Sequence, residues 1–217
     1  MGGDQAPQAV VQGSVSAAQA LPDAHIILVG DEAVLTPMLP AGAGRPGNLS
    51  VRHASQAVTM EDSPGAAVRQ KPDSSIAVGT KLVRDGVAQA IISAGNPGAM
   101  MAAAMLILKP QPGIDRPAIA TLFPTRKGRT ILLDAGATAD CKPTHLVQFA
   151  RMGSIYAASM LETPTPRVGL LSIGEEPTKG DELTKATHKQ LCTVTDINFI
   201  GNVEPKEVMR GEVDVVV

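Results

Sequence analysis

The sequence predicts an α/β fold with a Rossmann-like, mostly parallel sheet and flanking helices. Short apolar runs rich in β-branched residues alternate with longer helix-like segments, which is typical of parallel strands joined by crossover helices. The apolar residues within each run are nearly continuous, as expected of strands covered on both faces. Hydrophobic residues make up 44% of the 217 residues and aromatic residues only 2%, so the core is sizeable and aliphatic.

Strands and helices are predicted in this alternating order along the chain. The predicted strands are Ile26–Val29, Gln89–Ser93, Ala118–Phe123, Thr130–Asp134, Val168–Ile173, Ile197–Ile200 and Val213–Val217. The predicted helices are Ala6–Ala20, Ser74–Asp85, Gly98–Leu108, Thr144–Met160 and Asp181–Leu191. Pro143 marks the start of the fourth helix, because proline is tolerated where no backbone donor is required.

Stretches rich in Pro, Gly or polar residues predict the surface loops. They are Pro37–Asn48, Lys109–Pro117 and Glu162–Pro166. None of them is long enough to indicate a linker between domains. We therefore expect residues 1–217 to form a single α/β domain.

The charge balance and the cysteines exclude several classes of function. The chain has 19 basic and 21 acidic side chains, so it lacks the positive field that attracts nucleic acids, and no nucleic-acid partner is expected. Cys141 and Cys192 are far apart and form neither a disulfide framework nor a zinc site, which fits a reducing cytosol. The longest apolar run, Ala99–Leu108, is too short to span a bilayer, and no targeting segment precedes it. We expect a cytoplasmic protein without a metal.

A glycine-rich segment matches the dinucleotide-binding pattern GxGxxG by its letters, with Gly42, Gly44 and Gly47 in the glycine positions. The real fingerprint follows a strand and opens a helix, so that the pyrophosphate meets backbone donors at the helix N-terminus. Here prolines flank the glycines and a strand-like NLSVRH follows. We therefore interpret the segment as a flexible loop.

The segment Ser93–Ala99 (SAGNPGA) lies where a predicted buried strand ends and a helix begins. This is the favoured ligand position in open α/β sheets. Gly95 and Gly98 let the backbone approach a ligand, Asn96 can donate and accept, and the helix N-terminus favours an anion. A phosphate or a developing oxyanion fits here. An equally open alternative is a tight turn in which Asn96 only caps the helix.

Lys179 and Gly180 stand at the entrance of a predicted helix, after the strand-like RVGLLSI. A lysine in this position suits phosphate binding or oxyanion stabilisation, because backbone donors converge there. The alternative is a solvated loop of Lys and Glu side chains. Ser172 in this stretch does not form a GxSxG nucleophile elbow, since GLLSIG has one residue too many before the serine.

Two more predicted strands lead into polar residues, Asp134 and Asn202. For Asp134, a structural role in the glycine turn is favoured over catalysis. The recurrence of polar strand ends predicts a ligand cleft along one edge of the sheet. Cys141 and His145 are too few for a metal site, so we interpret them as a structural cysteine and a helix-surface histidine.

Eight motifs occur in order along the chain. They are MGGDQAP at Met1–Pro7, LVGD at Leu28–Asp31, SAGNPGA at Ser93–Ala99, GIDRPA at Gly113–Ala118, LLDAGA at Leu132–Ala137, HLVQFARMGSIYA at His145–Ala157, RVGLLSIGEE with KGDEL at Arg167–Leu183, and NFIGNVE at Asn198–Glu204. Together they resemble the motifs of the bacterial phosphate acyltransferases of phospholipid synthesis. The resemblance runs essentially from end to end.

This resemblance implies a fold related to isopropylmalate dehydrogenases and phosphotransacetylases, usually as a homodimer. It implies transfer of a fatty acyl group from acyl carrier protein to inorganic phosphate, without a metal or an organic cofactor. It also implies a cytoplasmic protein that associates peripherally with the membrane. Finally, it implies that the chain is incomplete, with a first strand before Met1 and a C-terminal part after Val217.

The resemblance further implies direct attack of phosphate on the thioester carbonyl. We expect Lys179 to stabilise the phosphate or the oxyanion, and Asn96 with the amides near Gly95 and Gly98 to orient phosphate. The remaining expected site residues bind or support these groups; they are Gly180, Asp4, Asp134 and Asn202.

Two positions depart from the family pattern. Pro97 stands where Thr or Ser is usual, and Thr138 stands where Asn is usual. The first departure removes a hydroxyl beside Asn96, and the second removes an amide beside Gly136. Two other functions stay open: a phosphotransacetylase-like enzyme that uses acyl coenzyme A, and a non-catalytic fragment that binds acyl carrier protein.

Overall fold

The structure, a computed structural model, describes residues 2–217. By their contacts the residues form two compact units, Met1–Gln111 and Pro112–Val217. The predicted fold class is confirmed, because helices accompany sheets whose strands are parallel apart from one hairpin. That one domain comprises the whole chain stays a prediction.

The first unit is built on two parallel strands. Helix α1 (Gln8–Ala20) leads into β1 (Ile26–Gly30), which pairs with β2 (Leu49–His53). Between the strands lie α2 (Glu32–Leu35) and two short 3-10 helices, Thr36–Met38 and Gly42–Gly44. After β2 come α3 (Pro64–Gln70), α4 (Ser75–Arg84) and α5 (Pro97–Ala103), which continues as a π-helical turn, Ala104–Leu108.

Two aliphatic clusters hold the first unit together. One joins α1 and the segment after α2 to the strands, through Val11, Ala18, Leu28, Leu35, Leu39 and Leu49. The other joins α3, α4 and α5, through Val58, Ala67, Val68, Ile76, Ala99 and Ala103. Full burial of one Val, Leu or Ile side chain stabilises a fold by about 1.5–3 kcal/mol, so an aliphatic core suffices without aromatic residues.

The second unit is a five-stranded sheet. Its strands are β3 (Thr121–Thr125), β4 (Gly128–Leu132), β5 (Arg167–Leu171), β6 (Asn198–Val203) and β7 (Val215–Val216). They are arranged in the order β3-β4-β7-β5-β6, and only the β3–β4 hairpin is antiparallel. The crossover helices are α6 (Pro143–Met160) from β4 to β5, α7 (Glu182–Leu191) from β5 to β6, and α8 (Pro205–Arg210) from β6 to β7.

Side chains that alternate along these strands form two cores, one on each face of the sheet. The core that includes α6 and α7 consists of Ile131, Leu133, Val147, Phe149, Ala150, Ala157, Val168, Leu170, Leu191, Val215 and Val217. The core that includes α8 consists of Val203, Val208, Val213 and Val216. Helices therefore cover both faces, and the sheet is doubly wound.

Two predicted strands need correction. Gln89–Ser93 is not a strand but an irregular segment in which Ile92 is 97% exposed, because no described strand pairs with it. The strand predicted at Ala118–Phe123 begins at Thr121, and most of its residues are exposed. It is an edge strand of a hairpin, so the expectation of cover on both faces is wrong for it.

A cavity of about 460 Å³ lies within the first unit, beside β1. Ile26, Ile27 and Leu28 all line it, although successive side chains of a strand point to opposite faces. The cavity therefore runs along an edge of β1 and not across a face. Its other lining residues include Gly79 of α4 and residues 90–94.

Candidate active site

The loops that follow β5 and β6 run to opposite faces of the second unit's sheet. Strand β5 leads to α7 on one face, whereas its neighbour β6 leads to α8 on the other. In doubly wound proteins, a divergence of this kind opens a crevice outside the carboxyl ends of the two strands, and ligands bind there. We use the term crevice for the region between the loop from Ser172 to Asp181 and the start of α8.

Asn202 holds the loop after β5 in place. Its side-chain Nδ2 donates to the Glu176 carbonyl at 2.9 Å, and its Oδ1 lies 2.9 Å from Nδ1 of His188 on α7. The residue is 5% exposed, and both ends of its amide are occupied within the protein. Asn202 thus supports the loop, and its contact with a substrate stays a prediction.

Lys179 is exposed at the end of this loop. Its backbone N–H donates to the Glu176 carbonyl at 3.0 Å. Its stem lies over Gly174, where an added Cβ would stand 2.9 Å from Lys179 Cγ. Within residues 2–217, its Nζ makes no hydrogen bond and no ion pair. The backbone and the first atoms of the Lys179 side chain are therefore held in place, while its ammonium group is available to a ligand.

Gly180 and Asp181 form the entrance of α7. Gly180 has a φ of +94°, and a Cβ there would lie 2.7 Å from the side chain of Thr184, so only glycine fits. The Asp181 carboxylate accepts from the Thr184 N–H at 2.7 Å and caps the helix. This hydrogen bond and one from the Thr184 hydroxyl lower the pKa of Asp181. The helix entrance thus carries an ionised carboxylate beside Lys179.

The other lysine of the crevice, Lys206, is already paired. Its ammonium group lies 2.8 Å from the Glu204 carboxylate and 3.5 Å from that of Glu175, and the hydrogen bond that it donates to Glu204 is the main reason why the pKa of Lys206 is raised. It ties α8 to the loop after β5. Lys206 is therefore engaged within the protein, whereas the ammonium group of Lys179 has no partner among residues 2–217.

Asp134 lies at the same carboxyl edge, at the end of β4. Its two carboxylate oxygens accept from the N–H groups of Ile119 at 2.8 Å and Thr138 at 2.7 Å. It thereby ties the segment before β3 to the turn after β4, which is the structural role favoured from the sequence. Strand β7 separates it from β5 in the sheet.

One polar group at this edge was missed from the sequence. Ser172, directly after β5, is 8% exposed, and its hydroxyl has no hydrogen-bond partner among residues 2–217. Thr138 Oγ1 is likewise buried without a described partner. The only sequence signal was a serine that continues a buried apolar strand, where a polar side chain needs a reason to be present.

In the first unit, Asn96 caps α5. Its Oδ1 accepts from the Ala99 N–H at 3.0 Å, and its Nδ2 donates to the Thr59 carbonyl at 3.1 Å. With 6% exposure, the side chain is engaged at both ends. The helix-capping alternative is therefore confirmed, and direct contact with phosphate stays a prediction.

The other expected residues of the first unit surround the same turn. The backbone of Gly2 packs on that of Gly95, because a Cβ on Gly2 would lie 2.8 Å from Gly95 Cα. Asp4 is exposed in the turn that follows. Gly98 packs on α3, since a Cβ there would lie 2.7 Å from Pro64 Cγ. These glycines allow close backbone packing, and their contact with a ligand stays a prediction.

Cys141 and His145 do not form a metal site. His145 is 6% exposed and accepts from the Lys142 N–H at the start of α6, so its expected place on the helix surface is wrong. Burial raises the pKa of the Cys141 thiol. No cluster of three or more His, Cys, Asp or Glu side chains within residues 2–217 is arranged to hold a metal ion.

Among residues 2–217, none of the helices combines the length and the apolar character needed to cross a bilayer.

Curated relatives align with the whole length of the chain. Phosphate acyltransferases from Desulforamulus reducens and Syntrophotalea carbinolica are 51% and 50% identical over 217 residues, and one from Myxococcus xanthus is 52% identical over 220 residues. The chain spans 64%, 62% and 62% of the length of these relatives.

Solved structures with the same fold are similar to the chain at low sequence identity. A branched-chain phosphotransacylase from Enterococcus faecalis aligns with all of this chain and 76% of its own, with a TM-score of 0.57 and 14% identity. The EutD phosphotransacetylase from Staphylococcus aureus aligns with 97% of this chain and 82% of its own, with a TM-score of 0.51 and 15% identity.

A family described as "Fatty acid synthesis protein" has a sequence model that matches residues 1–217. The matched residues include the eight motifs on which the resemblance to bacterial phosphate acyltransferases rests. The chain therefore belongs to the fatty acid synthesis protein family.

Proposed function

We propose that the protein transfers a fatty acyl group from acyl carrier protein to inorganic phosphate and so supplies acyl phosphate for phospholipid synthesis. The observation that carries this proposal is the 51% identity to a phosphate acyltransferase over all 217 residues. The crevice at β5 and β6, with the unpaired ammonium of Lys179, supports it chemically.

In the proposed reaction, an oxygen of monohydrogen phosphate forms a bond to the thioester carbonyl carbon. The carbon–sulfur bond then breaks, and the phosphate proton passes to the departing sulfur as the thiol is released. No protein nucleophile is needed, because phosphate attacks directly. The protein contributes by positioning the reactants and by stabilising negative charge on the carbonyl oxygen.

We assign the charge-stabilising role to Lys179. Asn202, Gly180 and Asp134 support the backbone around the crevice, in agreement with their hydrogen bonds and φ. In the first unit we assign phosphate orientation to the turn that contains Gly95 and Gly98. Asn96 fixes that turn from within, because its amide is engaged at both ends. Asp4 is assigned a supporting role beside the turn.

The test is phosphate-dependent turnover by the full-length protein. Acyl carrier protein loaded with a fatty acid is incubated with and without phosphate, and acyl phosphate is quantified. The proposal expects product only when phosphate is present. Absence of product in the presence of both substrates would contradict it.

A second candidate is a phosphotransacetylase-like enzyme that uses acyl coenzyme A. It is considered because the two solved structures that share the fold are a phosphotransacetylase and a branched-chain phosphotransacylase. Replacement of the acyl carrier thioester by the coenzyme A thioester separates the two functions. A third candidate, a non-catalytic fragment, would bind acyl carrier protein without forming acyl phosphate.

We extend the proposal to a cytoplasmic homodimer that associates peripherally with the membrane, as the family resemblance suggests. Exposed apolar side chains in the last two turns of α6 support contact with a second copy. Ile155, Tyr156 and Met160 are 68%, 39% and 64% exposed there. Apolar clusters of this kind mark interaction surfaces.

A further inference from the structure

The Ser172 hydroxyl is buried without a hydrogen-bond partner among residues 2–217. The backbone N–H of the same residue is satisfied, because it donates to the Val203 carbonyl at 2.9 Å. A buried polar group without a partner destabilises a fold by about 1–3 kcal/mol. A buried hydroxyl without a partner needs an explanation, and a bound group that accepts its hydrogen bond is one explanation.

Its position in the sheet places Ser172 at the mouth of the crevice. It directly follows β5, at the point where the loops after β5 and β6 diverge. By the alternation of side chains along the strand it shares the face of Val168 and Leu170, which pack in the core that includes α6 and α7. Its neighbours Leu171 and Ile173 are 42% and 82% exposed. The buried Ser172 thus lies between two residues whose side chains are exposed at the surface.

The charges of the loop after β5 indicate which ligand atom the Ser172 hydroxyl binds. Besides Lys179, the loop and the first turn of α7 carry four acidic residues: Glu175, Glu176, Asp181 and Glu182. Of these, Glu175 is paired with Lys206 and Glu182 with Lys185, which leaves the carboxylates of Glu176 and Asp181 without a basic partner among residues 2–217. A phosphate dianion would be repelled by the remaining carboxylates, whereas a thioester carbonyl is neutral until its oxygen gains charge in the transition state.

We propose that Ser172 donates a hydrogen bond to the thioester carbonyl oxygen and acts with Lys179 on the charge that develops there. This inference rests on the proposed acyl transfer. In that reaction the electron pair of the carbonyl π bond moves onto this oxygen as the phosphate–carbon bond forms, and it returns as the carbon–sulfur bond breaks. The Ser172 proton stays on its oxygen throughout, so Ser172 is a hydrogen-bond donor and not a nucleophile.

The test is Ser172→Ala in the full-length protein, with kcat, KM for phosphate and the thermal midpoint as readouts. We expect kcat to fall about tenfold to a hundredfold, because a donor to the developing charge is lost. KM for phosphate should stay the same, since phosphate is not the partner. The thermal midpoint should stay the same or rise, because the substitution removes an unsatisfied buried group.

Thr125→Val is the matched control. Thr125 Oγ1 is also buried without a partner among residues 2–217, but Thr125 is the last residue of β3, next to the hairpin turn and at the end of β4 opposite Asp134. The control should keep kcat, and its thermal midpoint should likewise stay the same or rise. An unchanged kcat in Ser172→Ala would overturn the inference, and so would a lower thermal midpoint, which would reveal a structural partner.

If Lys179→Ala reduces turnover and Ser172→Ala does not, only this inference fails. A wild-type protein without phosphate-dependent turnover would end both proposals.

Discussion

Lys179 combines a fixed base with a free ammonium group, which is what a charge-stabilising residue requires. We predict that Lys179→Ala in the full-length protein lowers acyl phosphate formation by about a hundredfold to a thousandfold, the typical effect of losing one oxyanion donor. The thermal midpoint should not change, because the side chain is exposed and unpaired. Steady-state turnover at saturating phosphate measures the effect.

Lys185→Ala provides the control for net charge. Lys185 lies on α7 and pairs only with Glu182, at 3.3 Å on the surface. Its removal changes the charge near the crevice by the same amount without removing the proposed donor. Equal losses of turnover in the two variants would indicate a general field effect and would remove Lys179 from the mechanism.

Asn96 is a second residue whose role can be measured directly. We predict that Asn96→Ala lowers the free energy of unfolding by about 2 kcal/mol, since the α5 cap is lost and the Thr59 carbonyl loses its donor. Urea unfolding measures this change. Asn96→Asp keeps an acceptor for the Ala99 N–H but cannot donate when ionised, so it should lie between alanine and wild type. An alanine variant as stable as wild type would contradict the capping role.

At the residue scale, the sequence predicted positions better than contacts. It indicated Asn96 as either a cap or a ligand, and only the hydrogen bonds to Ala99 and Thr59 distinguish these roles. It could not reveal that the Ser172 hydroxyl is unpartnered, because the surroundings of a hydroxyl depend on which distant segments pack around it. His145 was misplaced for the same reason.

At the element scale, long periodic helices with proline starts or caps were predicted well. Helix α6 begins one residue before its predicted start, and α7 one residue after. The short helices α2, α3 and α8 were missed, because a few residues give too little periodicity. The prediction of a strand at Gln89–Ser93 was wrong. The segment has the composition of a strand, but a strand also needs a partner to pair with, and composition does not show whether a partner is present.

The start of β5 depends on an ion pair as well as on pairing with β7. Arg167 donates to the Asp214 carboxylate at 2.9 Å and 3.0 Å, and the β5–β7 ladder itself joins only Val168 to Val215 and Gly169 to Val216. The guanidinium hydrogen bonds are the main reason why the pKa of Asp214 is lowered.

This ion pair makes stability depend on pH. Because the folded pKa lies below the unfolded value of about 3.9, the stabilisation is present above that value and is lost as pH falls through the lowered folded pKa. We predict that Asp214→Asn, at a partly exposed pair, lowers the free energy of unfolding by about 1 kcal/mol at pH 7. The difference from wild type should shrink as pH falls through the lowered folded pKa of Asp214. Urea unfolding across this range measures it. A difference that persists at low pH would contradict the assignment, and Asp85→Asn, at an exposed pair, should show little change.

The exposed apolar end of α6 gives a prediction for assembly. We predict that Ile155→Glu combined with Met160→Glu converts a dimer into a monomer, because charges placed in an apolar contact lose their hydration. Light scattering coupled to size-exclusion chromatography measures the mass. Leu21→Glu, at a residue 54% exposed after α1, should leave the mass unchanged. A dimer that survives the double substitution would place the contact elsewhere.

At the scale of the whole molecule, the sequence predicted the fold class because alternating apolar runs and helices admit few other architectures. The order of strands was not predictable in the same way. β7, at the far end of the chain, lies between β4 and β5. That placement depends on where α8 packs, and α8 was too short to be recognised.

In the first unit, β1 pairs with β2 along one of its two edges. The bonds from the Ile26 N–H to Asn48 and from the Ala54 N–H to Gly30 show which backbone groups face β2. In the hydrogen-bond pattern of parallel strands, the backbone N–H and C=O groups of Ile27 face the other edge of β1. The cavity of about 460 Å³ lies along that edge, and no strand of residues 2–217 pairs there.

We therefore predict that residues 1–217 alone unfold at a lower temperature, tend to aggregate and lack activity, whereas a protein extended at both ends is monodisperse and active. The physical reason is that an added segment beside β1 would cover the apolar cavity, whereas exposed apolar surface otherwise favours association with other chains. The matched relatives are longer than this chain, which covers 64% of the first, so they supply suitable extensions.

Size-exclusion chromatography, thermal unfolding and phosphate-dependent acyl transfer compare the two proteins. An extension at the amino end alone should raise the thermal midpoint of the first unit, and an extension at the carboxyl end alone should not. A monodisperse, fully active 217-residue chain would contradict the prediction, because its sheet edges and its crevice would then be sufficient by themselves.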